Sequence, residues 1–305
     1  MMNFQGVMPA ITTPFDPAGA VDHAFVDRHA AWLVDHGTTG IIALGSLGEG
    51  ATLLVDEKLE LLRTLIGAVG ERVPVVASIS ALSTAEACSL AREAERVGCR
   101  GLMVLPPYVH KGPWAEIRDH FDAVIRASSL PCMLYNNPIA YGVDLLPDQV
   151  AELAAAHAQV VAIKESSGDL RRITAVRALL GDRLNILAGL DDMALEAARL
   201  GADGWVAGLV NALPAESVAL FELGRSEAPA DWAQAFELYR WFLPLLRLDC
   251  QPDFVQQIKL VQAREQIGSE RVRAPRRPLE GAVRERSLAL IDQRLADGVR
   301  PELGL

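Results

Sequence analysis

Lysine is scarce in this chain, with four residues (Lys58, Lys111, Lys164 and Lys259) against twenty-five arginines. Three of the four sit in surface-like contexts. Lys164 instead ends the apolar run Val160-Val161-Ala162-Ile163. An ammonium group at the end of a buried strand costs several kcal/mol unless it loses its proton or finds a partner. The neutral amine is the form that adds to a carbonyl and builds a Schiff base. A lysine that snorkels to water or pairs with Glu165 is the competing reading, and position alone leaves the two even. Tyr135 ends the preceding apolar run. A phenol there can carry protons to and from a carbinolamine or an imine-stabilised carbanion. Taken without Lys164, it reads as a core tyrosine with its hydroxyl satisfied.

Gly45-Ser46-Leu47-Gly48-Glu49 is a glycine-flanked turn. Such a turn can present successive backbone N–H groups to a carboxylate or phosphate, with the Ser46 hydroxyl as a further donor. It is neither a Walker loop nor a dinucleotide fingerprint. The six histidines have no metal-ligand spacing, so no metal is expected. Arg271–Arg277 (RVRAPRR) reads as a solvated arm or a subunit contact in so acidic a chain.

The elements that must position these residues alternate regularly. Short apolar runs occupy 7–13, 40–46, 73–80, 101–107, 131–137, 160–166, 184–190 and 204–210. Several are apolar almost throughout, as a parallel strand covered on both faces must be. Segments of helical spacing lie between them. The first stops at Gly37 and the second at Gly70, while Ser83 with Glu86 opens a third that Gly98 closes. Eight such units predict an α/β fold, a (β/α)8 TIM barrel over residues 1–225, in preference to a doubly wound open sheet. From about Pro229 only helical patterns remain, which predicts a C-terminal helical domain over 226–305. In a barrel the active site lies at the C-terminal ends of the strands, where Lys164, Tyr135 and the Ser46 turn all fall.

Composition sets the outer limits. The chain has 305 residues, half of them apolar, and a net charge of −10. That charge disfavours nucleic acid and anionic membranes as partners. No apolar run is long enough to span a bilayer, and the N-terminus lacks the basic region of a secretory signal. Four cysteines without a CxxC pair are expected to stay reduced in the cytoplasm.

In order along the chain, GSLGE, PPY, YNNP, IKES and GLDD, followed by GSERVRAPRRPL, resemble the dihydrodipicolinate synthase / N-acetylneuraminate lyase family. The resemblance spans nearly the whole chain. It implies a barrel with a helical C-terminal domain, usually a homotetramer, and class I Schiff-base chemistry without a cofactor. It makes Lys164 the Schiff-base lysine and Tyr135 the proton shuttle. Ser46, Leu47, Gly189 and Val206 become the residues that bind a small 2-oxo or cyclic imino acid.

Two departures bear on the reaction. Synthases of this family typically carry a second tyrosine after PPY that reaches across a dimer contact, and Val109 stands there. They also carry an arginine for the carboxylate of the aldehyde partner, and Ala140 takes its place. Alanine offers no bidentate donor, so a second anionic substrate lacks its anchor. The segments YNNPIAYGVD, GWVAGLVNALP, YRWFLPLLRLD and GSERVRAPRRPL look most like 1-pyrroline-4-hydroxy-2-carboxylate deaminases, whose substrate has one carboxylate and no partner. A pyruvate-dependent aldolase or 4-hydroxy-tetrahydrodipicolinate synthase is the alternative that the resemblance leaves open.

Overall fold

The computed structural model describes residues 4–296 together with Met2, Arg300, Pro301 and Leu303. Eight short strands form its centre: β1 (Gly6–Pro9), β2 (Ile41–Ala43), β3 (Val75–Ile79), β4 (Gly101–Val104), β5 (Cys132–Asn136), β6 (Val160–Glu165), β7 (Asn185–Ala188) and β8 (Gly204–Ala207). All neighbours pair in parallel, in the order β1-β8-β7-β6-β5-β4-β3-β2. A parallel bridge from Ala10 to Ile42 joins the two ends, so the sheet closes on itself. Helices α1 (His23–Asp35), α2 (Val55–Val69), α3 (Thr84–Val97) and α4 (Trp114–Arg126) follow the first four strands. After β5 come a short α5 (Pro138–Tyr141) and α6 (Pro147–Ala156). Then follow α7 (Arg171–Leu180), α8 (Ala194–Arg199) and α9 (Pro214–Arg225). The chain is a (β/α)8 TIM barrel with added C-terminal helices, α10 (Pro229–Leu246), α11 (Phe254–Arg264) and α12 (Gly281–Leu295). Asp297 and Gly298, at the end of the last helical pattern, lie outside the described residues.

Each strand fills only part of the apolar run that announces it. The run at 40–46 yields a strand of three residues, and the run at 204–210 one of four. The remainder forms the loops at the strand ends, because parallel partners stop sharing a register once the barrel flares. Strand residues alternate between two apolar layers. Met8, Ile42, Val76, Met103, Met133, Ala162, Leu187 and Val206 fill the barrel interior. Val7, Ile41, Val75, Leu102, Cys132, Ile163, Ile186 and Trp205 face the helices. Fully burying one such aliphatic side chain contributes about 1.5–3 kcal/mol.

Helix ends follow the sequence cues. Ser83 accepts a hydrogen bond from the Glu86 N–H at 3.2 Å, and Gly98 ends α3 at φ +104°. The Arg271–Arg277 stretch is not a solvated arm. Arg273 donates to Thr52 O at 3.1 Å, pairs with Glu57 at 2.7 Å, and lies over the Phe15 ring. Arg271 donates to Phe15 O at 3.3 Å. The stretch is a strap packed on the loops after β1 and β2 and on the start of α2, where Arg271 and Arg273 find their partners.

Candidate active site

Counting by twos along a strand places the two candidate side chains. Met133 points into the barrel, so Tyr135 does too. Ala162 points inward, and so therefore does Lys164. A register irregularity at Cys132/Met133 brings β5 and β6 into step, with Tyr135 directly opposite Lys164. Lys164 is 6% exposed, and its Nζ lies 4.4 Å from the centre of the Tyr135 ring. Glu165 is turned to the other face of β6. It accepts from Asn136 Nδ2 at 3.0 Å and from the Ser167 N–H at 2.6 Å, and burial raises its pKa. Pairing between Lys164 and Glu165 is thereby ruled out.

Gly189 makes room for the lysine. A β-carbon there would lie 2.8 Å from Lys164 Cε and would overlap the Ser166 hydroxyl. Val206 lines the interior layer below, fully buried.

The Ser46 turn faces this pair from across the mouth. Leu44 at φ +65° and Glu49 at φ +53° flank it, both in the left-handed region that a non-glycine residue enters at a cost. Gly48 is required because a side chain would meet Ile11 O at 2.7 Å. Leu47 packs its side chain into the outer core, so it can offer a ligand only its backbone N–H. Ser46 Oγ and the Tyr141 hydroxyl are 2.6 Å apart.

Tyr141 is a residue that sequence reasoning missed. Asn137 caps α5 by accepting from the Ala140 N–H at 3.0 Å, and Pro138 starts the helix. That single turn carries Tyr141 back over the mouth, where its ring meets Tyr135 edge-on at 5.6 Å between centroids. Burial, with the Tyr135 phenol adding to it, pushes the Tyr141 pKa well up. Asn137 Nδ2 donates to the Tyr135 hydroxyl at 3.0 Å. An aromatic residue among turn-formers was the available signal. Ala140 and Val109, the two departures, are both exposed.

Two surface-like lysines prove otherwise. Lys58 is 8% exposed, and burial lowers its pKa. Lys259, on α11, is more enclosed than Lys164. Its Nζ donates to Glu49 Oε1 at 2.6 Å, to Thr13 O at 2.8 Å and to Arg271 O at 2.7 Å. Glu49 also accepts from the Arg273 N–H at 3.0 Å. This pair joins residues 210 positions apart, which local spacing does not reveal.

On the β7–β8 side, Asp191 is fully buried. It accepts from Trp205 Nε1 at 3.0 Å and from the Gly208 and Leu209 N–H groups at 3.0 and 2.7 Å. Burial still raises its pKa to about 6. Asp249, in the turn after α10, packs its carboxyl on Gly208. Among the described residues no cluster of His, Cys, Asp or Glu could hold a metal ion, and no helix is long and apolar enough to cross a membrane.

Residues 3–294 match the model of the dihydrodipicolinate synthetase family. The 4-hydroxy-tetrahydrodipicolinate synthase of Geotalea daltonii is 32% identical over 298 residues, covering 95% of this chain and 98% of that protein. The enzyme of the same name from Geobacter metallireducens is 37% identical over 69% of this chain and 72% of its own length. Among solved structures, a putative dihydrodipicolinate synthetase from Pseudomonas aeruginosa superposes with a TM-score of 0.89 at 30% identity, covering 96% of this chain and 100% of that one. YagE of E. coli K12, a member of the same family solved in complex with pyruvate, gives 0.88 at 28% identity, covering 95% of this chain and 98% of its own. The motifs, the barrel and the match along almost the whole sequence agree: this chain belongs to the dihydrodipicolinate synthetase family.

Proposed function

We propose that the protein is a lysine Schiff-base enzyme that converts 1-pyrroline-4-hydroxy-2-carboxylate to 2,5-dioxopentanoate and ammonia. The observation that carries the Schiff-base part is the inward Lys164 in register with Tyr135. Lys164 attacks C2 of the cyclic imine while the carboxylate rests on the Ser46/Leu47 turn, with Gly189 and Val206 shaping the wall. Ring opening leaves a lysyl imine, an electron sink that favours loss of a C3 proton. The 4-hydroxyl departs as water with Tyr135 as acid and base. A proton shift from C5 to C3 turns the freed 5-amine into an imine, one water hydrolyses that imine to an aldehyde and ammonia, and a second hydrolyses the lysyl imine to release the product and restore Lys164.

Support for this substrate over an aldehyde-accepting synthase comes from the exposed alanine at position 140, which gives a second carboxylate nothing to bind. The names of the relatives and the pyruvate complex of YagE favour a second reading, a pyruvate-dependent aldolase or synthase.

Borohydride reduction followed by peptide mass spectrometry decides between them. Pyruvate and 1-pyrroline-4-hydroxy-2-carboxylate are supplied in parallel, with ammonia measured in unreduced samples. The deaminase reading expects an adduct on Lys164 and ammonia from the pyrroline. An adduct with pyruvate but no ammonia moves the assignment to the aldolase or synthase. No adduct on Lys164 with either compound removes the Schiff-base mechanism.

A further inference from the structure

Two glycines stand side by side at the ends of β7 and β8. Leu187 and Val206 point into the barrel, so Gly189 and Gly208, two residues further on, open toward the same interior. At Gly189 the space of the missing side chain is taken by Lys164. At Gly208 it is taken by the Asp249 carboxyl, which would overlap a β-carbon placed there. An acidic side chain from the C-terminal helices thus enters the barrel mouth on the strand next but one to the lysine.

The turn after α10 fixes that carboxyl in place. The Asp249 N–H donates to Leu246 O at 3.1 Å, and the adjoining Cys250 Sγ donates to Asp192 Oδ1 at 3.1 Å. Asp249 Oδ1 is nevertheless buried without a hydrogen-bond partner among the described residues. An unpaired buried polar atom costs about 1–3 kcal/mol. Such a cost is carried where a ligand supplies the missing partner. Asp249 as a whole is half-buried rather than enclosed.

The surroundings select the kind of ligand. Burial, and after it the neighbouring Asp191, hold the Asp249 carboxyl well above the usual carboxylate range, although Lys164 pulls the other way. A carboxyl kept as the acid can both donate and accept, which suits a hydroxyl group. A ligand carboxylate or phosphate would instead be repelled by Asp191 and Asp192, and an apolar group would leave Oδ1 unpaired.

We infer that Asp249 is a specificity-determining residue that binds a hydroxyl group carried by the substrate beyond the carbon joined to Lys164. The inference rests on the Schiff-base reading of Lys164 and deepens it, whether the hydroxyl belongs to a cyclic imine or to an open-chain 2-oxo acid. With the carboxylate on the Ser46 turn after β2 and C2 at Lys164 on β6, two sides of the mouth remain for the rest of the molecule. Tyr135 and Tyr141 line one, and Asp249 lies on the other.

Matched pairs of compounds that differ by one hydroxyl read this directly. One pair is 1-pyrroline-4-hydroxy-2-carboxylate and 1-pyrroline-2-carboxylate. The other is 4-hydroxy-2-oxobutanoate and 2-oxobutanoate. For each compound, peptide mass spectrometry gives the concentration that half-saturates borohydride trapping on Lys164. The unaltered protein is expected to favour the hydroxylated member of at least one pair by about 10-fold. Asp249→Ala should bring that ratio close to one, whereas Asp249→Asn, which keeps a donor and an acceptor, should retain most of it.

A merely structural Asp249 shifts both members of a pair alike, so an unchanged ratio in Asp249→Ala overturns the inference. So does an unaltered protein without a hydroxyl preference in either pair. If Asp249→Ala does not fold, Gly208→Ala takes its place. Its methyl group displaces the carboxyl, and a preference that survives there overturns the inference equally. A preference confined to the open-chain pair supports Asp249 and counts only against the cyclic substrate, as does absence of ammonia from the hydroxylated pyrroline. Absence of any Lys164 adduct in the unaltered protein removes the Schiff-base reading and this inference together.

Discussion

Tyr135 and Lys164 stand opposite one another on adjacent parallel strands, and the lysine Nζ lies 4.4 Å from the centre of the tyrosine ring. Strand register sets them opposite, and Asn137, the Tyr141 ring and the space at Gly189 hold each in place. The phenol face covers one side of the amine.

Lys164→Ala should therefore abolish the borohydride adduct, with turnover reduced by at least about a thousandfold while the fold stays intact. Tyr135→Phe should still form the adduct but lose about 10²–10⁴-fold in turnover, the usual worth of a placed acid–base group. Trapping and steady-state rates measured on the same samples check both.

Gly189→Ala places a methyl group 2.8 Å from Lys164 Cε. The expected cost in stability is about 1–3 kcal/mol, as for other overpacked cores. The larger effect should fall on the adduct, which forms more slowly because the lysine is pushed from its position. Comparing the rate of adduct formation with urea unfolding separates the two.

Breaking the Lys259–Glu49 pair should cost more than surface mutations do. Lys259→Met leaves the Glu49 carboxylate buried with only the Arg273 N–H and a more distant Arg276 guanidinium. The expected loss is about 3–5 kcal/mol in urea unfolding. Replacing both residues by apolar ones should restore part of it.

Two buried groups give opposite pH slopes. His29, fully enclosed and donating to Asn211 O at 2.9 Å, is held to a pKa of about 4 by burial. Between about pH 4 and 6.5 the unfolded chain binds that proton and the native one does not, so stability rises with pH. Asp191, raised to about 6 by burial, does the reverse between about pH 4 and 6, where the native state holds the proton. His29→Gln should make the slope in this window fall more steeply, by about 2–3 kcal/mol, whereas Asp191→Asn leaves Asp249, which burial also raises, still opposing His29. Urea midpoints at pH 4.5, 5.5 and 6.5 would show it.

Periodicity carried the barrel because parallel strands covered on both faces read as apolar runs, and Gly98 or Ser83 mark helix ends by local backbone rules. Lys164 and Tyr135 stood out for the same reason: a polar group that ends an apolar run is visible in one dimension. Tyr141 did not, because its place at the mouth depends on a single helical turn that folds back over Tyr135. Glu49 and Lys259 also escaped notice, since their union is a property of tertiary packing. The arginine-rich stretch misled because charge in sequence says nothing about how many carbonyls and carboxylates will meet it.

The lysine on α11 reaches carbonyls and a carboxylate belonging to the first fifty residues and to the strap. A nascent chain that has left the ribosome only as far as α9 holds all eight strands, yet the turn bearing Ser46 still lacks the cation that holds its neighbour Glu49 in place. The Ser46 turn is therefore braced only once α11 and the strap have been made, and a product truncated before them has a barrel without that brace.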